Sequence, residues 1–136
     1  MATKTKTLPF LSRAESELMR LFWARGPSTI SALVGELDRE VAYTTVLTLV
    51  RILEQKGYVT HGPNPEGGKA FIYRAAVAEK GVRTRHVRDL VDRLFGGRVD
   101  DMLAGLVAGD TLEADELRAL RAQIDLKLKK KGTPRK

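Results

Sequence analysis

Between residues 42 and 60, AYTTVLTLVRILEQKGYVT, the apolar positions do not alternate. Val46, Leu49, Val50 and Leu53 recur at i, i+3, i+4 and i+7, the stripe of a helix that buries one face. The same stretch holds four threonines, three valines and an isoleucine, side chains that favour strands. Period overrides propensity and predicts a helix closed by Gly57. At about 100° per residue, Thr44, Thr48, Arg51 and Gln55 gather opposite the stripe. Propensity would rather fill such a face with Ala, Glu or Lys, so the threonines need a reason.

Upstream, Ser12-Arg13-Ala14-Glu15 has the form of a capping box. It opens a helix whose stripe is Leu18, Leu21 and Phe22, with Glu15 and Arg25 towards solvent and Gly26-Pro27 as its end. Ser28 or Thr29 caps a second, short helix through Ile30, Leu33, Val34 and Leu37, closed by the Asp38-Arg39-Glu40 cluster. After the third helix, residues 58–61 and 69–74 are aromatic or β-branched runs around the glycine- and proline-rich tip 62–68, which predicts a hairpin. Beyond Glu79 the pattern returns to helix, with Val87, Leu90, Val91 and Leu94 as a stripe stopped at Gly96-Gly97. An apolar segment, 99–107, follows. Asp110-Thr111-Leu112-Glu113 resembles another cap, and Leu117, Leu120, Ile124 and Leu128 line a last helix.

Three short helices followed by a hairpin is the order of a winged helix-turn-helix, in which the third helix reads DNA and the hairpin is the wing. The expected class is therefore mainly α with a small β-hairpin. Residues 1–80 form the DNA-binding head and 81–136 a helical dimerisation region with a basic tail. The C-terminal segments are too short to close a core of their own. Such an appendage buries itself against a second copy, here through Leu90, Leu94, Phe95, Leu103, Leu106, Leu117, Leu120, Ile124 and Leu128.

Charge changes this picture little. The net charge of +7 is concentrated in Lys127, Lys129, Lys130, Lys131, Arg135 and Lys136, leaving 18 basic residues against 17 acidic ones elsewhere. A basic tail adds nonspecific attraction to phosphates but is also the form of an ordinary solvated end. The absence of cysteine removes disulfides, zinc fingers and thiol catalysis. No apolar run approaches the ~20 residues of a membrane span, and the start MATKTKTLPF lacks the apolar core of a signal peptide. A cytoplasmic protein without direct membrane binding is expected. His61 and His86 lie in separate elements without HExxH spacing or a partnered nucleophile, so no metal, cofactor or enzyme activity is expected.

Three pieces of the chain resemble the penicillinase and methicillin-resistance repressors, a family of winged-helix regulators that also includes copper-responsive members. They are Leu11-Ser12 with Ala14-Glu15 and Trp23, then Tyr43-Thr44-Thr45-Val46 with Thr48 and Lys56-Gly57, then Asp92-Arg93-Leu94-Phe95-Gly96-Gly97. The resemblance implies a homodimeric repressor of a palindromic double-stranded DNA operator, held together by its C-terminal helices. Copper-responsive members carry cysteine pairs that this chain lacks. In β-lactam-responsive members a membrane sensor metalloprotease triggers cleavage at an Asn-Phe bond, and the matching pair here is Gly105-Leu106. The family often places an arginine where Ile52 stands; here Arg51 lies one residue earlier.

The threonine face then has a mechanism. A short side chain lets the helix approach the major groove closely, and a threonine hydroxyl and methyl can meet a phosphate, a base or a thymine methyl. Tyr43, Thr44, Thr45, Leu47, Thr48 and Arg51 are the expected reading residues, with Lys69 and Arg74 on the wing strands gripping the flanking backbone. The competing reading packs the threonines into a helix–helix contact, with Thr45 nearest the buried side, and leaves the wing cations as a solvated strand edge. Phe22, Trp23 and Phe95 are assigned to the core. A winged-helix module used only for protein contacts is the alternative function; its binding would lack the steep salt dependence of DNA binding.

Overall fold

The computed structural model describes residues 8–132. Arg135 and Lys136 of the basic tail, like the opening MATKTKT, lie outside the described residues.

Helix α1, Arg13–Arg25, starts at a true capping box. The Glu15 amide donates to the Ser12 hydroxyl at 3.1 Å and the Ser12 amide donates to the Glu15 carboxylate at 2.8 Å, so two orphan donors are satisfied reciprocally. The helix ends at Gly26, whose φ of 89° suits glycine. Thr29 caps α2, Ile30–Glu36, by accepting the Ala32 amide. This helix stops before the charged cluster expected to close it, with Leu37 as its C-cap. Helix α3, Tyr43–Lys56, ends at Gly57 in the left-handed conformation.

Strands β1, Val59–Pro63, and β2, Phe71–Ala75, pair antiparallel with Val59 opposite Ala75 and His61 opposite Tyr73. Lys69 stands in the turn before β2, not on a strand as the sequence pattern had placed it. The hairpin is also stitched to the segment between α1 and α2. Ser28 and Tyr73 exchange both backbone hydrogen bonds, at 2.9 and 2.8 Å. This bridge fixes the wing against the helices.

The core of this unit gathers Leu18, Met19 and Phe22 from α1, Ile30 and Leu33 from α2, Val46, Val50 and Leu53 from α3, with Tyr58, Val59, Tyr73 and Val82. Trp23 is half-buried, and its indole N–H donates to the Val77 carbonyl at 3.0 Å. The Tyr58 hydroxyl donates to the Pro9 carbonyl and lies 2.9 Å from His86 Nε2. Three helices closed by a two-stranded wing make a winged-helix fold.

The chain divides into two compact units, Met1–Val87 and Arg88–Lys136, and the division falls within α4, Glu79–Phe95. Gly96 and Gly97, at φ 58° and 86°, turn the chain into α5, Val99–Ala108, and α6, Ala114–Lys131, follows. The cap of α6 is Glu113, boxed with Glu116, in place of a residue from the preceding Asp110-Thr111 pair. Neither α5 nor α6 buries a single residue.

Glu15 is a correction to the sequence reading, which had sent it to solvent. It is buried, at 5% exposure, because Lys56, 41 residues onward, places its ammonium 2.7 Å from the carboxylate. One side chain thus caps α1 and ties it to the end of α3. Burial pushes the Glu15 carboxyl up, but its bonds to Lys56 and Ser12 together outweigh this and hold it below the ordinary value of 4.5. A depressed folded value contributes stability that is complete above 4.5 and lost as pH falls through the folded value. Glu15→Ala should destabilise the fold by ~1–3 kcal/mol at neutral pH. The difference from the parent should shrink below the carboxylate range in pH-dependent thermal melting.

Candidate nucleic-acid interface

Helix α3 is held in one rotation by Val46, Val50 and Leu53, each 0% exposed. Its two flanks are tied to different neighbours. On one side Lys56 reaches Glu15 of α1 at 2.7 Å; on the other Glu54 accepts from His61 of β1, Nδ1 to Oε2 2.7 Å. With both flanks occupied, the remaining face turns outward. Thr44, Thr45, Thr48, Arg51 and Gln55 are all exposed, so none of the threonines fills a core contact in this unit. Leu49, the fourth residue of the apolar stripe, is half-buried.

The residues singled out from sequence fall into two groups on α3. Tyr43, Leu47 and Arg51 share one ridge by their four-residue spacing and line a cleft of about 330 Å3 facing the wing. Lys69, Phe71 and Tyr73 form the opposite wall, with Thr29 and Ser31 at its end. Thr44 and Thr48 stand on the next ridge, pointing away from the core of this unit, while Thr45 lies towards the other flank. The structure therefore brings Tyr43, Leu47, Arg51 and Lys69 together and leaves Arg74 apart. Alternation along β2 puts Arg74 with Ile72, on the face opposite Phe71 and Tyr73.

Two functional candidates escaped the sequence reading. Phe71 is 50% exposed beside the cleft, where an aromatic ring would ordinarily be buried. His61, set aside as a lone histidine, links three elements. Besides its bond to Glu54, its ring lies 4.8 Å from Phe71 and 5.3 Å from Tyr73. The available signal was the pair itself, a carboxylate on the last turns of a helix and a histidine on the strand that folds back beside it.

A larger hollow, about 740 Å3, lies along α1 between Arg13, Glu17, Arg20 and Arg39. Glu17 stands inside it and binds Arg39 Nη1 through both oxygens, at 2.7 and 2.8 Å. The α3–wing cleft differs in having two cations and no carboxylate in its lining.

The dimerisation candidates lie in the second unit. Leu94 and Leu128 are 69% and 62% exposed, and Leu90, Leu103, Leu106 and Ile124 are exposed as well. Phe95, Leu117 and Leu120 are half-buried. Among the described residues no group of His, Cys, Asp and Glu is arranged to hold a metal ion, and no helix is long and apolar enough to cross a membrane.

Known proteins agree with this architecture. The chain is 23% identical over 119 residues to the methicillin resistance regulatory protein MecI of Mammaliicoccus sciuri, covering 86% of this chain and 94% of that one. It is 23% identical over 117 residues to the penicillinase repressor of Bacillus licheniformis, covering 85% and 89%. Among solved structures, a MarR mutant from E. coli complexed with operator DNA superposes with a TM-score of 0.53 at 18% identity, covering 98% of this chain and 84% of that one. At that identity the likeness shows the winged-helix fold. Residues 11–126 match the penicillinase repressor family, and the chain belongs to that family.

Proposed function

We propose that this protein is a dimeric transcriptional repressor that reads a palindromic DNA operator with the outward face of α3 and grips the flanking backbone with its wing. The observation that carries this reading is the exposed Thr44, Thr48 and Arg51 face on a helix whose other three sides are anchored. A rigid helix with short polar side chains suits the major groove. The family's names for its members, a regulator of methicillin resistance and a penicillinase repressor, support the regulatory role. The exposed leucines of α4, α5 and α6 support pairing with a second copy, since apolar faces of this kind seek cover. A module used only for protein contacts would leave Arg51 of the α3 face unused.

Release of the operator is proposed to come through a second protein, a membrane sensor metalloprotease acting on α5. Gly105-Leu106 lies inside that helix, so a protease needs α5 to unwind. A glycine there lowers the cost by about 1 kcal/mol relative to alanine. Cutting at that place would separate the two heads and remove their avidity.

Thr48→Ala or Arg51→Ala should weaken operator binding by ~1–3 kcal/mol per lost base contact while changing folding stability by less than about 0.5 kcal/mol. Titration of labelled duplex together with thermal melting checks both. Unchanged affinity in both variants would remove this face from the site. Deleting residues 113–136 should give a monomer or an aggregate with much weaker operator binding, read by sedimentation. A truncated chain that remains a dimer with full affinity would place the interface elsewhere. β-Lactams, oxidants or metal ions added to the purified repressor–operator complex should leave it intact; release by any one of them without a second protein would refute external control.

A further inference from the structure

The head has a second charged face, formed by α1 and the turn that leads into α3. Arg13, Glu17 and Arg20 recur along α1 at i, i+4 and i+7, so they share one ridge. They border the hollow of about 740 Å3, which Arg39 of the turn also lines. Arg39 lines a second hollow as well, of about 690 Å3, bordered by Asp38, Glu40 and the half-buried Val34, Leu37 and Val41. The two hollows therefore form one continuous surface, joined where Glu17 binds Arg39 through both oxygens. The other charges of this surface stay unmatched. Arg13 and Arg20 on one side, and Asp38 and Glu40 on the other, are exposed and form no ion pair among the described residues. Both signs stand in equal number on one face and do not reach each other within one chain.

We propose that this face docks against the same face of a second copy, around a twofold axis near the Glu17–Arg39 pair. Arg13 and Arg20 of each head then meet Asp38 and Glu40 of the other. The contact joins head to head; it is separate from the C-terminal leucines and holds whether or not those pair. Symmetry selects the occupant. A twofold contact puts the same patch on both sides, so a patch with two free cations and two free anions is its own complement. A nucleic acid would meet Asp38 and Glu40 with like charge, and a partner of a single sign would be repelled by half of the face. Val34, Leu37 and Val41 add apolar surface beside the charges. Exposed ion pairs are individually weak, which sets the association in about the millimolar range. A protein already paired through its C-terminal helices carries the face on both heads, so head contacts add such pairs in an open row.

Sedimentation equilibrium of the full chain, from about 10 μM to about 1 mM at low ionic strength, reads the contact. The average mass of the parent should rise above its dilute value and fall back at high salt. Arg13→Glu with Arg20→Glu makes the face wholly acidic, and Asp38→Lys with Glu40→Lys makes it wholly basic. Each double variant should associate at least about tenfold more weakly than the parent. The first does so although it lowers the net positive charge of the chain and relieves overall repulsion. An equimolar mixture of the two should recover the association, and so should one chain carrying all four changes, because opposite charges face each other again. If a double variant melts early, Arg20→Glu or Glu40→Lys alone replaces it. A parent whose mass does not rise overturns the proposal. So does a normally melting variant that associates like the parent, or a mixture whose members stay apart. C-terminal pairing is read separately, from the mass at the dilute limit.

Discussion

The rotation of α3 about its own axis is the constraint on which the rest of the molecule depends. Val46, Val50 and Leu53 are wholly buried, and a one-residue turn of the helix, about 100°, would drive Leu47, Arg51 and Glu54 into the core in one direction, or Thr45, Leu49 and Ile52 in the other. Burial of three aliphatic side chains, each contributing roughly 1.5–3 kcal/mol, forbids that. Once this face is fixed, the chemistry of the others follows from their angles. The Lys56 side meets the capping carboxylate of α1, the Glu54 side meets the histidine of the wing, and among the described residues the side chains of Thr44, Thr45 and Thr48 have no hydrogen-bond partner. Two hydrogen-bonded tethers on opposite flanks make the orientation stiff as well as favourable.

This arrangement explains why a helix of poor intrinsic propensity is tolerated. The cost of threonine over alanine is at most ~0.7 kcal/mol per residue, smaller than the packing energy that holds the helix in place. The second unit shows the opposite balance. Helices α5 and α6 have strong local signals, including a capping box at Glu113, but hold no fully buried residue. In the proposed dimer, a second copy would cover these leucines.

Much of this was legible in the sequence because it is local. The i, i+4, i+7 spacing of Val46, Val50 and Leu53, the Ser12–Glu15 box and the glycines at 26 and 57 each act within a turn or two of chain. What was not legible joins residues distant in sequence. Glu15 reads as a solvent-facing first-turn carboxylate until Lys56 arrives from 41 residues away. The Ser28–Tyr73 bridge is made by backbone, for which a side-chain pattern carries no signal. Phe71 and Arg74 look alike as wing residues, yet the pleat sends them to opposite faces. Lys69 was placed on a strand because the aromatic run beyond it begins only two residues later, at Phe71.

The central claim is that the outward face of α3 reads DNA sequence, in two copies. Selecting bound molecules from a pool of random duplexes, in parallel with the parent chain and with Thr48→Ala, tests it most directly. The account predicts an inverted repeat from the parent, with half-sites centred about one or two helical turns apart. It also predicts loss of preference at the same base pair of each half-site in the variant. Recovery of no common sequence by the parent, or of the same full repeat by both proteins, would contradict it.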